Sequence, residues 1–161
     1  MRATLWLAAL ALAAPAAAEP VAVGAVLAPF SLEDQHGSPG EVDARLRALV
    51  FTRDMDGGDV VKAALAEGGA ERLARAGAVY VADVHRMPGI IRRTIAEPRL
   101  RRRPYRMLLD REGEATRDLP AREGEATLLV LDGLRVVRAE YHRDGAALAA
   151  ALDGLASGPG P

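Results

Sequence analysis

Three carboxylates fall within six residues, Asp54, Asp56 and Asp59, in the stretch Arg53-Asp54-Met55-Asp56-Gly57-Gly58-Asp59. Oxygen donors at this density suit a hard divalent cation such as magnesium or calcium. The spacing differs from that of a twelve-residue calcium loop: the third carboxylate comes one residue late, and no Glu closes the loop. His85, in Asp83-Val84-His85, stands at the end of a predicted strand. The ends of parallel strands converge, which brings His85 toward Asp56. Asp54, Asp56 and His85 are therefore the candidate metal ligands. The same acidic residues also suit a plain strand-to-helix connection, with Asp59 as N-cap and its neighbours favoured by the helix dipole.

A second cluster is basic. Arg92, Arg93, Arg99, Arg101, Arg102, Arg103 and Arg106 place seven guanidinium groups in fifteen residues. Arginine forks bind carboxylate and phosphate in bidentate fashion. Ile90, Ile91, Ile95 and Leu100 are interleaved with them, as in an amphipathic interaction segment or a solvated basic face over a buried aliphatic stripe. With 21 basic and 22 acidic residues, the chain has a net charge of −1, and no nucleic-acid partner is expected. An acidic protein partner or an anionic lipid headgroup is the chemistry this segment fits.

Several chemistries have no residues to run on. The chain has no cysteine, and its serines, Ser31, Ser38 and Ser157, lie outside any nucleophile motif. There is no Gly-rich phosphate loop and no His-Glu-x-x-His pair.

Elements alternate along the chain. Pro29 to Asp34 reads as a strand, and Gln35 to Gly40 as a turn. Ala48-Leu49-Val50-Phe51 is an unbroken apolar run, the mark of a strand buried on both faces. A helix is expected from Asp59, bent at Gly68-Gly69, continued over Glu71 to Ala76 and stopped at Gly77. Ala78 to Val84 reads as a second buried strand. A short helix from Pro88 is expected to end at Pro98. Tyr105 to Leu109, Thr127 to Leu131 and Arg135 to Tyr141 are further strands, the last two joined at Asp132-Gly133. Asp144 caps a final helix with Ala147, Leu148, Ala151, Leu152 and Leu155 on one face. Strands joined through helices predict a parallel portion, and the late hairpin adds an antiparallel edge.

Residues 1–18 have the form of a signal peptide: Arg2, the apolar run Leu5 to Ala14, and small residues at Ala16-Ala17-Ala18 before Glu19. Removal of this leader from the 161 residues would leave 143, enough for one domain with a single core. The expected organisation is a domain over 19–156 and a frayed tail over 157–161, in a protein exported to the periplasm. The oxidising compartment permits disulfides, which this chain does not use.

The order of elements resembles the thioredoxin superfamily, in its secreted redoxin and thiol-disulfide oxidoreductase branch. Gly24, Pro29-Phe30 and Leu32-Glu33-Asp34-Gln35-His36-Gly37 are similar to the lead-in of that branch. Phe51 and its loop resemble the strand before its active site, and Gly124 to Gly133 its late hairpin. The resemblance implies an α/β fold with a central mixed sheet and helices on both sides. It places a Cys-x-x-Cys pair at positions 56 and 59, where this chain has Asp56 and Asp59. It places a cis-proline at position 126, where this chain has Ala126. A thiolate is the nucleophile of disulfide exchange. The implied role is a redox-inactive binding or assembly module with a protein partner in the cell envelope and no resident cofactor. The run Ala48 to Gly57 also resembles the opening of haloacid-dehalogenase-type phosphatases. That likeness implies a magnesium-dependent phosphohydrolase, with Asp54 as nucleophile and Asp56 as acid/base. Passive divalent-metal binding is the third expectation.

Overall fold

The structure, a computed structural model, describes residues 21–158. The leader expected at 1–18 and the last three residues of the expected tail lie outside the described residues.

A five-stranded sheet forms the centre, in the order β5-β4-β3-β6-β7. β3 (Ala48–Thr52), β4 (Ala78–Asp83) and β5 (Leu108–Asp110) run parallel; β6 (Ala126–Asp132) and β7 (Arg135–His142) continue the sheet antiparallel. β3 is central and buried at every position, which explains its unbroken apolar sequence.

Alternation along β3 divides the core. Ala48 and Val50 face a cluster with Val61, Leu65, Leu73, Leu128, Leu148 and Leu152. These side chains come from β6, from α1 (Met55–Ala64) and its C-cap Leu65, and from α2 (Gly69–Ala76) and α5 (Gly145–Ser157). α1 and α5 approach closely: a Cβ at Gly145 would lie 2.6 Å from Ala63 Cβ. Leu49 and Phe51 face the other cluster, with Val81, Leu108, Leu129 and Val136. That face is covered by the hairpin of β1 (Phe30–Glu33) and β2 (Pro39–Val42), by the lead-in at Leu27 and by Leu119. Helices were expected on both sides, yet no helical side chain belongs to this second cluster.

Four boundaries differ from expectation for identifiable reasons. Pro39 and Gly40, expected in a turn, pair with Glu33 and Leu32. A proline is tolerated at the first residue of an edge strand, and Gly40 leaves room for Leu108, which a Cβ would overlap. Pro98 does not end its helix. The helical run continues from α3 (Gly89–Ile91) through a π-helical turn (Arg92–Ala96) into α4 (Glu97–Leu100). Pro98 directly follows the π-helical turn, and helical hydrogen bonding resumes past it, with Arg101 N donating to Glu97 O at 2.9 Å. β5 starts three residues late because the buried amide of Gln35 takes the ladder's place. Gln35 Nε2 donates to Tyr105 O at 2.8 Å, and Met107 N donates to Gln35 Oε1 at 3.0 Å. Ser157, assigned to the tail, is the last residue of α5.

The β6–β7 turn is formed by Gly133 and Leu134, both at positive φ (51° and 74°). Leu134 tolerates the left-handed backbone because its side chain is buried in the second cluster. Asp144 caps α5 as expected, with Leu148 and Leu152 facing inward, but Ala147 is exposed.

Candidate functional site

The carboxyl ends of β3 and β4 and the amino end of β6 meet the start of α1 at one corner of the sheet. The helix there begins five residues earlier than expected. Its N-cap is Asp54, in extended conformation, and Asp59 lies inside the helix. Asp54 Oδ1 accepts from Gly57 N at 2.7 Å, and Oδ2 accepts from Gly124 N at 2.9 Å. One carboxylate thus ties the helix N-terminus to the turn preceding β6. Gly57 makes the approach possible, since a Cβ there would lie 2.6 Å from the Glu125 carbonyl oxygen. A glycine in a helix interior costs about 1 kcal/mol of propensity, offset here by that close contact.

The other two carboxylates point to solvent. Asp56 is exposed, and so is Asp59, whose nearest cation is Lys62 Nζ at 4.0 Å. Met55 is 75% exposed between Asp54 and Asp56. An apolar side chain and two exposed carboxylates are therefore presented on the first two turns of one helix.

His85 is not brought to Asp56. Its Nδ1 lies 2.6 Å from Asp83 Oδ1, and its backbone N donates to the same oxygen at 3.1 Å. The other Asp83 oxygen lies 3.4 Å from Arg53 Nε. Arg53 runs beneath the corner over the Phe51 ring, and its Nη2 donates to Thr116 O at 2.6 Å. Among the described residues, no three carboxylate or imidazole side chains converge as a cation site. Asp83, Arg53 and Glu125 (which accepts from Arg143 Nε at 2.7 Å) frame the corner and were not singled out from the sequence. Buried polar side chains carry little local pattern, although Asp83-Val84-His85 at a strand end was a usable signal. Ala126 is buried at the start of β6, and no cis peptide occurs among the described residues.

The arginine segment separates into two groups. Arg92 donates to Arg111 O, Arg101 to Gln35 O, and Arg106 to Asp34 Oδ2 and Pro39 O, so these three hold the fold together. Burial raises the Asp34 carboxyl. The N–H groups of Ser38 and His36 and the Arg106 guanidinium outweigh it and hold the group below its ordinary value. Arg93, Arg99 and Arg102 are exposed and Arg103 half-buried, without side-chain hydrogen bonds or ion pairs among the described residues.

No family model matches this chain, and no curated protein does. Solved structures do. Peroxidoxin BcpB from Mycobacterium tuberculosis aligns with a TM-score of 0.53 at 23% identity, covering 83% of this chain and 95% of that one. The thioredoxin domain of a thiol-disulfide oxidoreductase from Bacteroides vulgatus aligns at 0.52 and 10% identity, covering 85% and 99%. An uncharacterized conserved protein from Geobacillus kaustophilus aligns at 0.57 and 20%, covering 87% and 85%. The fold is thioredoxin-like. At these identities the likeness is one of fold alone. Within this thioredoxin-like fold, Asp56 lies on the first turn of α1 and Asp59 three residues further along it, both open to solvent. Gly57, between them, packs on the peptide of Glu125, directly before Ala126.

Proposed function

We propose that this chain is an exported, redox-inactive thioredoxin-like module that binds a protein partner in the periplasm through the corner around Met55, Asp56 and Asp59. The observation that carries this reading is the exposed side-chain set on a clamped helix start. Met55 offers an apolar contact, Asp56 and Asp59 offer charge, and Asp54 with Gly57 holds their backbone rigid. A rigid helix start loses little conformational freedom on binding, so more of the contact energy appears as affinity. Without a thiol the chain has no nucleophile for disulfide exchange.

Two measurements test the proposal. Insulin reduction, disulfide isomerisation and peroxide turnover by the purified protein are expected to stay at background; robust turnover in any of them overturns the redox-inactive part. Partner capture from the periplasm is expected to fall at least tenfold with Asp56→Lys/Asp59→Lys, by analogy with reversal of close interfacial charges. Undiminished capture by that variant removes the corner from the binding surface. The phosphohydrolase alternative gains no support here, because both oxygens of Asp54 already accept backbone N–H groups.

A further inference from the structure

We infer that the helical arm from Gly89 to Leu100, with the arginine-rich turn after it, docks this protein onto an anionic lipid surface. From Arg86 to Arg106 the chain has eight arginines and one carboxylate, a formal +7. The whole chain carries −1, so everything outside this segment sums to −8. The charge is concentrated on one arm of an otherwise acidic molecule.

The single acid does not dilute that charge at the surface. Glu97 is buried, with Arg111 Nε at 3.0 Å, Arg101 Nη2 at 3.8 Å and Arg92 Nε at 3.9 Å. Those contacts fasten the inner side of the arm to the end of β5 and, through Arg111 and Glu33, to β1. The outer side carries Arg93, Arg99 and Arg102, exposed and without ion-pair partners among the described residues. The same arm carries Ile90, Ile91 and Ile95, which are 79%, 45% and 46% exposed. These are three of the seven large apolar side chains left exposed among the described residues, so apolar exposure and positive charge coincide on one arm.

That coincidence favours lipid over an acidic protein or polymer, which would use the arginines and leave the isoleucines in water. An interfacial helix uses both: aliphatic side chains enter the headgroup boundary while guanidinium groups contact phosphates. At about 1.5 Å per residue the arm is too short to span a bilayer, so it lies in the surface plane. No helix among the described residues is long and apolar enough to cross. The acidic remainder is repelled by the same surface, which orients the molecule arm-down. Because Thr52 pairs with Ala82 at the parallel ends of β3 and β4, the Met55–Asp59 corner faces the same end of the sheet as the arm's root. Docking by the arm stands whether or not a protein partner occupies that corner.

The test is vesicle co-sedimentation of the processed chain from Glu19, whose core clusters are closed by residues 21–158. The vesicles are phosphatidylglycerol and phosphatidylcholine in equal parts, against phosphatidylcholine alone. Binding to the anionic vesicles only is expected, lost at about 1 M salt, where the Debye length falls to about 3 Å. Each exposed arginine near such a surface contributes about fivefold, so Arg93→Ser/Arg99→Ser/Arg102→Ser is expected to weaken binding on the order of a hundredfold. Ile90→Ser is expected to weaken it roughly tenfold, as for loss of one partly buried aliphatic side chain. These sites are on the surface, so unchanged melting curves for the variants accompany the result. Equal binding to both vesicle types, no binding to the anionic ones, or full binding by the triple variant overturns the inference. So does an Ile90→Ser variant that binds as tightly as the parent, since that outcome shows that the exposed isoleucines do not enter the surface.

Discussion

Replacing Asp54 by alanine tests whether this carboxylate is a structural clasp. In the native corner it accepts from Gly57 N at 2.7 Å and from Gly124 N at 2.9 Å. Loss of an N-cap acceptor costs about 1 kcal/mol. Stranding the partly buried Gly124 N–H costs about another 1 kcal/mol. Asp54→Ala is therefore expected to lose about 2 kcal/mol, a fall in Tm of about 7 °C for a domain of this size. Asp54→Ser keeps the contact with Gly57 but is too short for Gly124, so it should lose about half as much. Asp56→Ala and Asp59→Ala remove exposed charges and should stay within about 0.5 kcal/mol of the parent. Urea unfolding followed by far-UV circular dichroism reads these differences, with the denaturant slope held constant. Equal stability of Asp54→Ala and the parent would refute the clasp. So would a rise in the parent's stability with magnesium, calcium, manganese or zinc that Asp54→Ala abolishes, because a ligand bound only to the folded state stabilises it by mass action.

Three further outcomes follow from the same geometry. Gly57→Ala should destabilise by about 1–3 kcal/mol in urea unfolding, because its methyl group meets the Glu125 carbonyl; Gly58→Ala, with open space around it, should not. Gln35→Leu strands the Tyr105 carbonyl and Met107 N–H in a buried setting, and should cost about 2–4 kcal/mol in the same assay. The Asp34 carboxyl is held below its ordinary value in the folded state, so its contribution is present above the unfolded-state pKa of about 3.9 and disappears as pH falls through the lower folded value. Asp34→Asn should flatten that acid limb of the stability–pH curve, and an unchanged limb would contradict the assignment.

The elements that position the corner were legible because each had one dominant local signal. β3 and β6 are continuous apolar runs, α2 ends at a left-handed Gly77, and Asp144 stands at the start of α5. The α1 start was misread because two glycines ahead of Asp59 argue locally against helix. Only the tertiary contact of Gly57 with Glu125 reveals why a glycine belongs there. The partnership of His85 with Asp83 rather than Asp56 depends on how the strand end turns. The roles of Gln35 and Asp34 depend on segments about 70 residues away. The arginine run was legible as charge, but its division into fold-holding and unpartnered members is set by Glu97, Asp34 and backbone carbonyls that sequence spacing does not locate.

The most direct test of the proposed binding role is site-specific photo-crosslinking in the proposed compartment, the periplasm. One photoreactive side chain replaces Met55 at the corner, and another replaces Asp132, exposed at the far end of β6. A discrete protein adduct from position 55, absent from position 132 and lost with Asp56→Lys/Asp59→Lys, is the result this account predicts. No adduct from position 55, or the same adduct from both positions, would contradict it.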